Sequence, residues 1–296
     1  MSHQTPGSSG RKNMILNTVL VICIVVIIAC GLQIGYSVSE YRKAEEKYNE
    51  LSSNMGNLIN SVGTTTATFT ETGVTTAIGT DTETSETVTT EPAPVPRDEY
   101  REIYEQLSTL KAQYPQLFGW IHIQFDEDHV INLPVMKGED NNYYISHAYD
   151  GTESKAGSIF VDYRNTDRRI DLNQNLIFYG HNMNNSSMFA LVSSKYKVRD
   201  NFDNVPIVFY SLEGKYTFNV FSVYNAKATE NYDTIAFSGD KLKTFCEEKQ
   251  MKSFFSKNLK FDDTETVVTL VTCTNYASDG RVIVHGVFDS YDPFFD

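Results

Sequence analysis

The sequence predicts a mainly β, closed domain with a few helices, carried behind an N-terminal membrane span and a disordered stalk. Three observations carry that expectation. An uncharged run extends from Met14 to Tyr36, a Thr/Ser/Glu/Pro-rich stretch fills Gly63 to Arg97, and short β-rich runs alternate with turn residues from Asp98 onward. Many short strands separated in this way read as a barrel or sandwich. With 296 residues the chain has room for one or two domains. A net charge of −13 without a clustered basic face excludes a nucleic-acid partner.

The elements follow in chain order. Residues 1–13 form the expected cytoplasmic tail and 14–36 the span, since roughly 20 apolar residues at ~1.5 Å rise cross a ~30 Å hydrocarbon core. Arg11 and Lys12 precede the run, while Arg42, Lys43 and Lys47 follow it, so charge bias alone does not fix the orientation. An uncleaved signal anchor with its N-terminus inside is the reading adopted. A cleavable signal peptide would have a shorter apolar region. Ile27-Ile28-Ala29-Cys30 loosely matches a lipoprotein processing site, which would put lipid on Cys30 instead.

Residues 37–62 continue as a juxtamembrane helix. Tyr41, Ala44, Tyr48, Leu51, Met55, Leu58 and Val62 step by threes and fours, the pattern of a short heptad seam. Two readings stand: a helix running on into water, or a weak dimerising coil over 41–62. Residues 63–97 hold too few large apolar groups to repay the entropy of ordering. As a coil they reach roughly 30–40 Å, a spacer between bilayer and domain. Their Ser and Thr content permits O-glycosylation.

The domain spans 98–296. Tyr100, Ile103, Tyr104, Leu107 and Leu110 share one helix face, which Pro115 ends. Strands are expected at Phe118–Ile123, Ile131–Val135, Gly157–Asp162, Leu176–Tyr179, Val205–Tyr210, Tyr216–Tyr224, Thr266–Thr272 and Arg281–Phe288. Helices are expected at Ser187–Ser194 and Asp240–Phe255.

Three residues stand out for their chemistry. Cys273 closes Thr269-Leu270-Val271-Thr272-Cys273, Arg281 opens the next strand, and His181 follows Gly180 in Tyr179-Gly180-His181-Asn182. The nucleophilic form of a cysteine is the thiolate, which neighbouring cations favour. Arginine offers several donors in one plane and stays charged, which suits a developing oxyanion. His285 competes with His181 for the role of proton carrier, but it lies four residues along its strand from Arg281, ~13 Å away. Cys246 reads as a half-buried helix residue; a Cys246–Cys273 bridge would silence the nucleophile.

These motifs, with Phe118-Gly119-Trp120-Ile121, Leu133-Pro134-Val135, Asp140-Asn141-Asn142-Tyr143-Tyr144 and Gly157-Ser158-Ile159-Phe160-Val161-Asp162, resemble the class B sortases, cysteine transpeptidases of Gram-positive cell surfaces. The resemblance covers the whole domain. It implies an eight-stranded barrel with an inserted helix before the last strand pair. It also implies that Cys273, His181 and Arg281 are catalytic. By the same analogy, Asn141 or Asn142 positions the substrate strand; Thr272 is a further candidate for lining the groove, with ordinary packing the reading to beat. The implied partners are secreted proteins with a C-terminal sorting signal, and an acceptor amine from peptidoglycan or a pilin lysine. No cofactor is implied, and no ligand spacing points to a metal. Residues 1–97 and composition alone fit a second reading equally: a non-catalytic surface receptor or adhesin head on a stalk.

Overall fold

The computed structural model describes residues 8–62, 95–166, 170–274 and 279–296. Residues 63–94 of the expected stalk, the first residues of the expected cytoplasmic tail and Ser278 of the expected turn after Cys273 lie outside them. The chain forms two compact units, divided between Lys47 and Tyr48. Helix α1 covers Ser8–Val62. In the first unit, residues 16–36 are all exposed, and the helix is long and apolar enough to cross a membrane.

The second unit, Tyr48–Asp296, is a closed barrel. Its strands are β1 (Leu117–Gln124), β2 (Val130–Lys137), β3 (Ile159–Val161), β4 (Asn175–Tyr179), β5 (Ile207–Tyr210), β6 (Gly214–Lys227), β7 (Val267–Cys273) and β8 (Gly280–Pro293). Their order around the barrel is β1-β2-β3-β4-β7-β8-β6-β5, closed by pairing of β1 with β5. Two neighbours run parallel, β2 with β3 and β4 with β7. All eight expected strands occur, and the closed form matches the barrel that the resemblance implied.

Helix α2 (Arg101–Gln113) places Ile103, Leu107 and Leu110 on one buried stripe, and Tyr114 N–H caps it on Leu110 O at 2.7 Å. These side chains share a core with Trp120, Met136 and Phe294. Helix α3 (Ala190–Lys195) begins later than expected. Helix α4 (Arg199–Asn204) was not anticipated, because six residues with a single buried aromatic, Phe202, carry little periodicity. Helix α5 (Lys241–Lys252) buries Leu242, Phe245 and Cys246, and Ser222 Oγ of β6 donates to Lys249 O at 2.6 Å.

Inside the barrel, Thr269, the first residue of the cysteine motif, donates to Asn175 Oδ1 at 2.7 Å and lies 2.9 Å from His285 Nδ1. His285 Nε2 meets Tyr224 Oη at 3.2 Å. Each of these groups therefore has a partner in an interior where an unpaired polar atom is costly.

The heptad face needs a correction. Tyr48 and Met55 are buried, and Leu51, Leu58, Ile59 and Val62 pack on the same core as Tyr100, Leu107 and Trp120. Tyr48 Oη donates to Gly157 O at 2.8 Å and meets Ser158 Oγ at 3.1 Å. Asn132 Nδ2 donates to Ser52 O at 2.5 Å. From Tyr48 to Val62 the seam is neither solvated nor free for a second copy, because the barrel of its own chain covers it. The helix side chains at 48–62 and the strands after residue 95 share one core. Residues 63–94 therefore lie in sequence between two parts of the same unit.

Candidate active site

Three strand ends meet at one rim of the barrel. Strands β7 and β8 pair antiparallel with Cys273 directly opposite Arg281, a Cα separation of ~4.5–5.5 Å across such a ladder. Strand β4 runs parallel to β7 with Tyr179 beside Val271. The ladder continues one step further, as Gly180 N–H donates to Val271 O at 3.1 Å. This register delivers the next residue, His181, alongside the end of the cysteine strand. Asn182 Nδ2 then ties the histidine segment to Cys273 O at 2.9 Å.

Gly180 is required here by close approach. A Cβ at that position would stand 2.4 Å from Ile159 Cδ1 and 2.8 Å from the Phe189 ring. His181 O accepts Phe189 N–H at 2.9 Å, which folds the Asn-rich loop back onto the strand end. The ring of His181 is held by Nε2 against Ile145 O at 2.7 Å. A carbonyl oxygen only accepts, so Nε2 carries a proton in this contact.

Cys273, His181 and Arg281 line one cleft of about 340 Å³, together with Thr272, Asn141, Ile145, Tyr179 and Tyr232. Cys273 is a free thiol and partly exposed. Arg281 Nη1 donates to Gly280 O at 2.9 Å, and its guanidinium also meets the Tyr232 hydroxyl. Burial pushes that hydroxyl's pKa up, while Arg281 pulls it back. A thiol, an imidazole and a guanidinium around one opening suffice for acyl transfer through a thioester.

Asn141 reaches the cleft, but its amide is already engaged: Nδ2 donates to Asp162 Oδ2 at 2.9 Å and Oδ1 accepts Tyr163 N–H at 3.0 Å. Asn142 sits at the start of the short turn Tyr143–Ile145 and does not line the cleft. Thr272 is 2% exposed, and its Oγ1 is buried without a hydrogen-bond partner. His285 is fully buried, and its partner across the ladder is Thr269, away from the Cys273 end. Cys246 is a separate buried thiol, with no bridge to Cys273.

Sequence reasoning missed Tyr179, Tyr232 and Asp162. Tyr179 and Asp162 both stand in quoted motifs, so their types were visible while their contacts were not. Tyr232 lies in a polar stretch after β6, with no pattern to mark it. Among the described residues, no three His, Cys, Asp or Glu side chains cluster as metal ligands.

Comparison with known proteins agrees with this architecture. Residues 131–289 match the sortase domain family. The sortase B of Listeria monocytogenes is 31% identical over 189 residues, covering 62% of this chain and 74% of that protein. The X-ray structure of Clostridium perfringens sortase B superposes with a TM-score of 0.56 at 29% identity, covering 62% of this chain and 99% of that one. A Staphylococcus aureus sortase B–substrate complex shares the fold with a TM-score of 0.64 at 22% identity, over 85% of this chain and 99% of that one. On the strength of its barrel, its family match and these relatives, the chain belongs to the sortases, cysteine transpeptidases, and within them to class B.

Proposed function

We propose that this sortase cleaves a C-terminal sorting signal of secreted proteins and passes the acyl group to an amine of the cell wall or to a pilin lysine. Cys273 is the nucleophile. Its thiolate attacks the scissile carbonyl, whose π electrons move onto oxygen, and Arg281 stabilises the resulting anion with its planar donors. As the tetrahedral centre collapses, the C–N bond breaks and His181 gives its proton to the departing amine. That leaves a thioester on Cys273. The acceptor amine then attacks it, His181 takes up the proton, and the thiolate leaves with the product amide complete.

The single observation carrying this reading is that one cleft is lined by all three side chains, although His181 and Cys273 stand 92 positions apart in the sequence. Thr272 lines the cleft beside the nucleophile, which supports a role in shaping the peptide groove. That a sortase B of Staphylococcus aureus forms a complex with substrate supports the peptide-cleft assignment. Residues 14–36 span the membrane once, with 1–13 inside and the barrel outside; the exposed apolar helix supports this.

The test is incubation of the purified chain with a library of sorting-signal peptides, with and without a wall amine. A covalent adduct on Cys273, discharged by the amine, is the expected result. An adduct that persists in Cys273→Ala refutes the assignment.

A further inference from the structure

Asp162, on the chain just after β3, has no solvent exposure. Burying a carboxylate is expensive unless donors surround it, and an apolar side chain would serve stability as well. Its donors come from three directions. Oδ2 accepts Asn141 Nδ2 at 2.9 Å, Tyr179 Oη at 3.0 Å and Arg164 Nη2 at 2.8 Å. Oδ1 accepts the backbone N–H and Nε of Arg164 at 3.0 and 2.8 Å. Asn141 and Tyr179 both line the cleft, on different segments of chain.

Arg164 extends the connection. Its Nη2 also donates to Asp233 O at 3.0 Å and meets Asp233 Oδ2 at 3.3 Å. Asp233 adjoins Tyr232, which lines the cleft and contacts Arg281. One buried charge thus reaches the Asn141 segment, the end of β4 two residues before His181, and the loop after β6. None of these contacts touches Cys273.

We infer that Asp162 is a positioning residue which, directly and through Arg164, holds three walls of the cleft at the spacing a sorting peptide needs. This rests on the peptide-cleaving function proposed above. The carboxylate takes no part in the covalent step. It keeps Asn141, Tyr179 and Tyr232 in place so that the cleft grips the bound strand. Contacts of this kind, made equally to the bound substrate and its transition state, set KM and leave kcat nearly unchanged.

The test is Asp162→Asn in the full chain, which keeps size but replaces one accepting oxygen with a donor. The expected result is a KM for the sorting peptide raised about 10-fold or more, with kcat changed less than about threefold. Alkylation of Cys273 by a small thiol reagent should keep its wild-type rate. An unchanged KM, or a fall in kcat and alkylation together, overturns the inference. Should Asp162→Asn not fold, Asp233→Ala and Tyr179→Phe decide instead: Asp233 is half exposed, and each variant removes one spoke. Each should raise KM alone, and their double variant should raise it further; no rise in either overturns the inference. Wild-type acyl-enzyme in the same assay separates this outcome from failure of the proposed function itself.

Discussion

Two cysteines and two histidines of the barrel unit, Cys246 and His285 against Cys273 and His181, differ in a way that explains where chemistry is available. Cys246 lies on the buried face of helix α5 among Phe221, Leu242 and Phe245, and burial pushes its thiol up to about 12. His285 is fully buried between Thr269 and Tyr224, and burial holds it well below the ordinary imidazole range. Cys273 and His181 stand instead at the open end of the same sheet, where β4 and β7 finish. Residue type is shared by the two pairs. Exposure, and a guanidinium opposite the sulfur, are not.

The largest expected effect sharpens that contrast at its active end. Cys273→Ser should lower transpeptidation by on the order of 10⁴-fold or more, read as loss of peptide-amine product; Cys246→Ser should leave kcat near wild type. Near-wild-type turnover in the Cys273 variant would break the comparison outright. Alkylation with iodoacetamide followed by peptide mapping should mark Cys273 in the folded protein and Cys246 only after denaturation.

Next in size is Arg281→Lys. The charge stays and the planar fork goes, so kcat should fall by roughly 10²–10³-fold with little change in thermal stability. The smallest effect concerns the inert end. His285 binds a proton less readily folded than unfolded. As pH falls below ~6.5, the unfolded chain takes up a proton that the folded one refuses. Stability therefore drops with falling pH over that window, by at most about 1.4 kcal/mol per pH unit for this group. The drop continues until the lowered folded value is reached. Urea melts at pH 7.5 and 5.5 should show it, and His285→Phe should flatten the slope if packing is preserved.

Much of this was legible along the chain. Strands such as Thr266–Thr272 alternate or run apolar for a length that only a strand suits, and turn residues bracket them. Turn-type residues, Ser278-Asp279-Gly280, stand between Cys273 and Arg281, so their meeting across a ladder followed from sequence. The placement of His181 next to them did not, because a parallel β4–β7 pairing joins segments far apart in the chain. Side-chain partners were the other blind spot. Asn141 was a candidate for positioning the substrate strand, and Asp162 and the Tyr163 backbone already engage both ends of its amide. The apolar stripe on 41–62 announced a packing face, and nothing in its periodicity said whose surface would meet it.

That stripe has a consequence for how the enzyme stays attached. Tyr48 and Met55 are seated in the catalytic unit, so a cut by an extracellular protease anywhere in 63–94 severs the backbone without undocking the barrel. With residues 14–36 anchored as proposed, the cut enzyme should sediment with membranes as two fragments and keep its turnover. Only a denaturant, by pulling the helix off its seat, should shed the larger piece into solution.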